Sequence, residues 1–279
     1  MAQKLKRKKS LYQRCKENQK FQAALTIILP VLFGILILAL WQGQVLHKLF
    51  RTDTYTLPLP TKIGSIFVEN LDKIWENTVS TVSVALIGLV LGSLLGYLVA
   101  ILASFFPRFG KGGLSIIGAF ASIPVVAMAP VLNNWTKDVS SEASVRSMVA
   151  KIIVVMLISA ANMSLNAYRG LTELKPYAED LMATYAAKKK VVLLKLRLPN
   201  SVPYIFVALK VAVPASIMTT IVSEYFAEYI TGVGRQIREN IVLAQYSTAW
   251  VYIVTACLLG VVSYIILMMV QSILLKKHH

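Results

Sequence analysis

The sequence has few of the residues that form disulfide or metal sites. It contains two cysteines, Cys15 and Cys257, and three histidines among its 279 residues. One cysteine lies in a basic N-terminal stretch and the other inside an apolar run. Their number and spacing exclude a disulfide framework and form no cysteine-based metal motif. We therefore expect the chain to bind no metal ion and no cofactor.

A phosphate-binding loop is also missing. ATPases of the P-loop class need the pattern GxxxxGK[ST], in which backbone N–H groups surround the phosphates and the hydroxyl binds Mg²⁺. The nearest segment is FGKG at 109–112, which lacks both the spacing and the hydroxyl residue. We therefore expect that this chain is not an enzyme and that any nucleotide hydrolysis belongs to a partner.

Acidic residues are scarce, whereas apolar residues are abundant. The net charge is +16, and 56% of the residues are hydrophobic. In a soluble protein such a charge indicates a nucleic-acid or anionic partner, but here the apolar residues form blocks of about 20, enough to cross a bilayer. We therefore expect lipid and no nucleic acid as a partner. The blocks predict an all-α, polytopic membrane protein with six transmembrane helices, at 21–41, 81–105, 114–132, 151–168, 204–223 and 249–275.

The basic residues predict the orientation of these helices. Residues 1–20 hold eight Lys and Arg and a single Glu, which predicts a cytoplasmic N-terminus. In that orientation 19 basic residues fall in cytoplasmic segments and nine in outer ones, counting Lys151 at the edge of the fourth span. We therefore expect a protein of the cell membrane. Its outer segment is 42–77, its core is 78–275, and a loop at 169–200 and the C-terminal residues 276–279 are cytoplasmic.

Glycine and proline predict local features of the spans. Gly88, Gly92 and Gly96 recur every four residues, which favours close packing of the second span on another helix. Three further expectations come from turn and proline signals: an interfacial helix at 63–75, a tight basic turn at 107–113, and a third span broken by Pro124 and Pro130.

The longest charged stretch, 169–203, separates the fourth and fifth spans. Its first part predicts a short helix, because Pro176 suits a first helical position and acidic residues follow it near the positive end of the dipole. The basic run 188–190 comes next, and a second short helix is expected to end at Leu198, before Pro199. Two short helices between membrane spans indicate either a docking element or a solvated cytoplasmic loop.

Several segments of this sequence occur together, and in this order, in one family. The stretch contains Asp180-Leu181-Met182, then Ala186, and then Leu196 with Leu198-Pro199, and the other segments are LPLPTKIGSIF, SIPVVAMAPVL followed by Trp, NAYRGL and SEYFAEYITGVG. The stretch resembles the coupling loop of ABC importer permeases, whose pattern is Glu-Ala-Ala, three residues, Gly, nine residues, Ile-x-Leu-Pro. Over about residues 55–275 the sequence is similar to permeases of the nitrate/sulfonate/taurine type.

The sequence departs from that family at three positions. Ala186 replaces the glycine of the coupling loop, and because a Cβ atom is costly in the left-handed region, a sharp bend is less favourable here. Asn162 stands where relatives often have proline, and Thr136 stands where they often have glycine.

The resemblance implies a type I ABC importer permease fold and a set of partners. These are a second permease copy, giving a homodimer or a heterodimer, two cytoplasmic ATPases that use ATP and Mg²⁺, and an extracytoplasmic solute-binding protein. The implied solute is a sulfonate- or nitrate-like anion or a vitamin-precursor heterocycle. The implied contacts with the ATPase, including the bend, are Glu179, Asp180, Leu181, Met182, Tyr185, Ala186, Leu198 and Pro199.

Polar residues within the spans are candidates for the translocation path or its gate. Lys210 lies inside the fifth span, where a charge costs about 2.5–3.5 kcal/mol on insertion scales. Its stem allows the alternative that the amine reaches the interface or pairs with a carboxylate. Glu224, at the outer end of that span, and Asn162, in the fourth, are the other two candidates.

Two other functions fit the same features. A secondary transporter or channel that needs no ATPase would also contain broken helices and polar residues in its spans, although no internal repeat is visible between the two halves. A membrane scaffold that transports nothing is the second alternative.

Overall fold

Helices form nearly all of the chain that the computed structural model describes, namely residues 19–120, 122–227, 229 and 231–275. Most of the expected basic N-terminus and the C-terminal residues 276–279 lie outside the described residues. The chain divides into two units, Met1–Ser65 and Ile66–His279. The helices are α1 (Gln19–Gln42), α2 (Val45–Phe50), α3 (Pro60–Glu69), α4 (Leu71–Phe105), α5 (Pro107–Phe120), α6 (Val125–Trp135), α7 (Ala143–Thr172), α8 (Ala178–Thr184), α9 (Lys189–Val192) with a π-helical turn (Leu193–Arg197), α10 (Leu198–Tyr225), α11 (Val233–Val242) and α12 (Tyr246–Leu275).

In the first unit, two hydrogen bonds connect residues of the segment that follows α1. His47 is buried, and its Nε2 atom lies 2.6 Å from the carbonyl oxygen of Leu57. The backbone N–H of Thr56 donates to the carboxylate of Asp53 at 2.8 Å. Because this bond favours the charged form, it lowers the pKa of the exposed Asp53.

In the second unit, α4, α7 and α10 contact one another and form the centre. The shorter α5 and α6 pack on α7, while α12 packs on α10 and α11. The core between these helices uses small residues, with Ala100, Ala167 and Ala208 fully buried in one cluster together with Met163 and Leu171. Small side chains at these positions let the long helices approach closely.

Four helical segments are long and apolar enough to cross a membrane, and they are Leu71–Phe105, Ala143–Thr172, Lys189–Tyr225 and Tyr246–Leu274. A shorter apolar helix extends over Ile28–Gln42. Many of their outward side chains are exposed leucine, isoleucine and valine, which lipid solvates well. Helices suit this environment because all their backbone groups bond internally. The all-α, membrane-spanning fold predicted from the sequence is confirmed.

The three regularly spaced glycines of α4 pack directly against α7. A Cβ atom at Gly88 would lie 2.6 Å from Cβ of Val155. At Gly92 it would meet the carbonyl oxygen of Met156, and at Gly96 that of Ala160. Because no side chain fits between the two backbones, the predicted close helix packing is confirmed and its partner is α7.

Four local expectations need correction. The tight turn expected at 107–113 is wrong, because these residues are the first half of α5, with Pro107 at its first position. The interfacial helix expected at 63–75 is divided at Asn70 between α3 and α4. In the region of the third span a helix begins directly after Pro124, as a break there would require. Pro130, in contrast, lies within α6 and does not break it. The expected helix end before Pro199 is described in the next subsection.

Candidate functional site

The coupling segment, residues 175–200, presents an apolar stripe on α8 and on the residues directly before and after this helix. The stripe consists of Tyr177, Leu181 and Tyr185, whose exposed fractions are 82%, 60% and 77%. Residues four apart lie on one side of a helix, so the three side chains face the same way. Large exposed apolar groups in an otherwise charged segment are typical of a surface that contacts another protein or a membrane.

The opposite side of α8 faces a cavity of about 390 Å³. Glu179 and Ala183 line it from α8, Ser104 and Phe105 line it from the end of α4, and the remaining lining includes Lys189, Val192, Leu193 and Arg197. We call it the junction cavity. Because residues 179 and 183 are offset from the stripe by two positions, about 200° around a helix, the stripe and the cavity lie on opposite faces.

Arg197 connects the three elements around the junction cavity. Its Nη2 and Nε atoms donate to Oε1 of Glu179 at 2.7 and 3.2 Å, and its Nη1 atom donates to the backbone carbonyl of Ser104 at 3.1 Å. An arginine can donate in three directions from one rigid plane. The side chain therefore ties α8 to the end of α4 and to the start of the fifth-span helix.

A left-handed residue ends α8. Ala186 has φ of 50°, its N–H donates to the carbonyl of Ala183 at 2.8 Å, and the N–H of Ala187 donates to that of Met182 at 3.0 Å. This pair of bonds is the Schellman motif, which satisfies the last carbonyls of a helix and usually has glycine at the left-handed position. The sharp bend of the family pattern is thus present with alanine in place of glycine.

The second helix of the segment does not end at Leu198, so that expectation is wrong. Lys189–Tyr225 is continuous, and Pro199 stands at the start of α10. The π-helical turn Leu193–Arg197 precedes it, and the N–H of Leu198 donates to the carbonyl of Leu193, five residues back. This wider turn moves the preceding carbonyls away from the proline ring, which would clash in a regular α-helix.

The other predicted coupling residues lie around this junction. Asp180 is exposed in the first turn of α8, Met182 is half-buried, and Pro199 is exposed. Leu198 is half-buried and packs on the core cluster that contains Ala208. Of the residues implied by the family resemblance, Glu179 thus lines the junction cavity and Leu198 contacts the core, whereas Asp180 and Pro199 are exposed.

Asn200 holds the end of α7 at the same junction. Its Nδ2 atom donates to the carbonyl of Gly170 at 2.8 Å and to that of Glu173 at 3.1 Å. A Cβ atom at Gly170 would lie 2.8 Å from Cα of Ser201, so α7 and α10 are in backbone contact here. Our sequence analysis missed Asn200, although it directly follows the Leu-Pro pair of the family pattern.

Glu224, a predicted gate residue, is completely buried at the other end of α10. The Thr81 hydroxyl lies 2.9 and 3.0 Å from its two carboxylate oxygens, and the N–H of Gly234 donates to Oε2 at 2.9 Å. The same hydroxyl accepts a hydrogen bond from the N–H of Val233 at 3.0 Å. One carboxylate thus joins α4, α10 and the start of α11.

The two glycines of the segment TGVG, 231–234, make room for this carboxylate. A Cβ atom at Gly232, whose φ is 105°, would collide with the Glu224 carboxylate, and one at Gly234 would collide with the carbonyl of Ile221. Asn77, one turn before Thr81, accepts from the N–H of Gly232 at 2.9 Å. The glycine spacing was a signal for this site, but Asn77 and Thr81 were missed.

Basic and amide side chains hold the chain between α10 and α11. Asn133 donates to the carbonyl of Phe226 at 3.2 Å, and Arg235 donates to that of Ala227 at 3.1 Å. We call Phe226–Gly232, of which Glu228 and Ile230 lie outside the described residues, the outer loop. Lys151 on α7 is also buried, with 3% of its surface exposed, and it interacts electrostatically with Glu224.

The structure separates Lys210 and Asn162 from these two sites. Lys210 is half-buried on α10, and within the described ranges no carboxylate forms an ion pair with it. The Nδ2 atom of Asn162 donates to the carbonyl of Ile158 in its own helix at 3.1 Å. No hydrogen bond between described residues joins either side chain to the other or to Glu224.

Comparison with known proteins identifies the family of this chain. Residues 79–277 match the family described as binding-protein-dependent transport system inner membrane component. The formylaminopyrimidine transport permease protein ThiX of Halalkalibacterium halodurans is 25% identical over 197 residues, which are 70% of this chain and 74% of that protein. A probable ABC transporter permease protein of Haemophilus influenzae is 28% identical over 199 residues, which are 71% of this chain and 77% of that protein.

Two solved structures share the fold. A chain of an amino acid ABC transporter with histidines has a TM-score of 0.58 and 14% identity over 76% of this chain and 96% of its own length. A chain of the MetNI methionine ABC transporter, in an inward-facing conformation, has a TM-score of 0.51 and 15% identity over 72% of this chain and 95% of its own. On the family match over residues 79–277, the protein belongs to the inner-membrane permease components of binding-protein-dependent ABC importers.

Proposed function

We propose that this permease couples ATP hydrolysis in cytoplasmic ATPase subunits to the import of a small solute through the α8 contact surface. The observation that carries the proposal is the two-faced α8. One face exposes the apolar stripe of Tyr177, Leu181 and Tyr185, and the other is tied to the membrane helices through Glu179 and Arg197. A motor bound to the stripe would therefore move the spans and not only a loop.

Three connections would transmit that motion. The Arg197 bond to the carbonyl of Ser104 reaches α4. The Asn200 bond to the carbonyl of Gly170 reaches α7. The continuous helix Lys189–Tyr225 extends from the coupling segment to Glu224. A rigid-body tilt of these helices would open one side of the membrane and close the other, as alternating access requires.

A second copy of this chain would complete the path along one face of α10. This face is partly open and carries Pro203, Val207, Lys210, Pro214 and Met218, which recur at three- to four-residue spacing. An amine in contact with lipid inside the span costs several kcal/mol. We therefore place this face at a water-containing interface in a homodimer, with Lys210 and Asn162 as the path residues.

The outer loop and Glu224 form the proposed gate on the side that receives the solute-binding protein. The carboxylate fixes the start of α11, while Asn133 and Arg235 fix the loop itself. This assignment places both termini and the coupling segment in the cytoplasm. Together these contacts support a gate at this end of α10.

A vitamin-precursor heterocycle is the proposed solute class. It is supported by the relative whose name specifies formylaminopyrimidine transport. A sulfonate- or nitrate-like anion is the second candidate, favoured by the cationic Lys210 on the open face of α10. Uptake of labelled compounds of both classes by proteoliposomes that contain the complete transporter would separate them.

Affinity purification from native membranes tests the coupling proposal. The tagged chain should retain ATPase subunits that carry a GxxxxGK[ST] loop, quantified by mass spectrometry. Leu181→Asp should reduce that retention by about 30-fold or more, because a central contact residue contributes roughly 2 kcal/mol or more. Val242→Asp is the matched control, since Val242 is 71% exposed on α11, away from the coupling segment.

Two outcomes would contradict the proposal. Equal ATPase retention by the Leu181→Asp variant and the wild type would show that the stripe is not the contact. Solute transport by this chain alone in liposomes without ATP would instead favour a motor-independent transporter.

A further inference from the structure

The junction cavity combines cationic groups with apolar walls. Lys189 and Arg197 line it, Glu179 is the acidic residue among its described lining, and Phe105 and Leu193 supply apolar surface. Its volume of about 390 Å³ lies in the range of pockets that hold a small molecule or a headgroup. The cavity therefore has room and chemistry for an amphiphilic ligand.

The charge around the cavity favours an anion. The segment 188–197 contains five basic residues and no carboxylate, namely Lys188, Lys189, Lys190, Lys195 and Arg197. Glu179 neutralises Arg197 through their ion pair of 2.7 Å. The four lysines are exposed, and Lys189 lines the cavity itself, so the segment keeps an excess positive charge next to the cavity.

The cavity lies where two candidate membrane spans end. Phe105 is the last residue of Leu71–Phe105, and Lys189 is the first of Lys189–Tyr225. The cavity is therefore expected at the depth of the lipid headgroups, with the apolar faces of both helices extending from it into the bilayer. Lysine side chains suit this depth because the stem packs on apolar surface while the amine reaches phosphate.

We propose that the junction cavity binds the headgroup of an anionic phospholipid. Its phosphate would contact Lys189, and its acyl chains would extend along Phe105 and Leu193. Because Glu179 and Arg197 form one wall, the lipid would stabilise the contact between α8 and the end of α4. The lipid site is independent of the identity of the transported solute and of the ATPase contact.

Lipid retention by the full-length chain tests this proposal. Purified protein in nanodiscs that contain phosphatidylcholine and phosphatidylglycerol is released into detergent, and the bound lipids are counted by native mass spectrometry. The wild type should retain phosphatidylglycerol in preference to phosphatidylcholine. Lys189→Gln should lower that affinity about fivefold, since one basic residue near the membrane surface contributes about 1 kcal/mol.

Lys175→Gln is the matched control, because Lys175 is exposed close to α8 but does not line the cavity. It should retain phosphatidylglycerol as the wild type does. Three results would overturn the proposal: equal retention of both lipids, equal losses in the two variants, or displacement of the lipid by millimolar inorganic phosphate alone. The second result would indicate a diffuse attraction of the basic segment, and the third a site for free phosphate.

Discussion

The hydroxyl of Thr81 lies 2.9 Å from the carboxylate of Glu224, although the two residues are 143 positions apart in the sequence. Both side chains are completely buried. The hydroxyl also accepts a hydrogen bond from the N–H of Val233. One small polar group on α4 therefore satisfies a buried carboxylate and a backbone donor on two other elements.

Replacing Thr81 with Ala should destabilise the second unit by about 1–3 kcal/mol, because it removes a partner from a buried acceptor. Thr81→Ser keeps the hydroxyl and should stay within about 1 kcal/mol of the wild type. Thermal unfolding of the purified chain in detergent measures both changes. If Ala and Ser variants unfold at the same temperature, the hydroxyl contributes nothing to the stability of this end of the bundle.

Replacing glycine with alanine should have opposite effects on stability in α4 and in α12. Gly92→Ala should destabilise the chain by roughly 1–3 kcal/mol, because its Cβ would meet the carbonyl of Met156 on α7. Gly260→Ala should be neutral or stabilising by up to about 1 kcal/mol, since nothing lies within 4 Å of that position and alanine favours a helix. Unfolding temperatures in the same detergent provide the comparison, and equal shifts would contradict the α4–α7 contact.

Asn200 should be required as a donor and not only as a spacer. Asn200→Asp keeps the shape but cannot donate to the carbonyls of Gly170 and Glu173, so it should destabilise at least as much as Asn200→Ala, by about 1–3 kcal/mol. Asn166→Ala is the control, because among the described residues the Nδ2 atom of Asn166 donates to a carbonyl of its own helix, that of Asn162.

Thermal unfolding of the three variants measures the difference. Full stability of Asn200→Asp would show that the end of α7 does not depend on these hydrogen bonds. A large loss in Asn166→Ala would show that any asparagine substitution in this bundle is damaging.

Apolar blocks were sufficient to predict an all-α membrane protein, whereas the permease fold was expected only from the family resemblance. Helices in lipid must be long and apolar along most of their length, so composition alone identifies them. Small residues spaced four apart predicted the face of α4 that packs on another helix, because helices in a membrane approach closely only where their side chains are small. The coupling segment was also recognisable, since its charges interrupt two apolar blocks.

Long-range partners could not be predicted. The sequence presented Glu224 as a carboxylate at the end of a span, but nothing local to it indicated that Thr81 and Gly234 would surround it. Proline signals were misleading for a related reason. Pro107 begins a helix and Pro199 follows a π-helical turn, and both depend on hydrogen bonds in neighbouring turns that propensity does not describe.

The alanine that ends α8 offers the sharpest local test of the coupling segment. Ala186 occupies the left-handed region at φ of 50°, where a Cβ atom costs roughly 1–2 kcal/mol. Ala183, three residues earlier, lies inside α8, where glycine is worse than alanine by about 0.5–1 kcal/mol. The same change from alanine to glycine should therefore stabilise α8 at 186 and destabilise it at 183.

Hydrogen exchange at individual amides is the suitable measurement, because a seven-residue helix has little influence on global unfolding. The amides of Ala187 and of residue 186 donate to the carbonyls of Met182 and Ala183, so their exchange reports directly on the end of the helix. Ala186→Gly should slow exchange at both amides by up to about fivefold, and Ala183→Gly should accelerate it. Changes of the same sign in the two variants would mean that the left-handed bend is not maintained in the membrane-embedded protein, and the α8 surface would then lack the rigid connection that coupling to a motor requires.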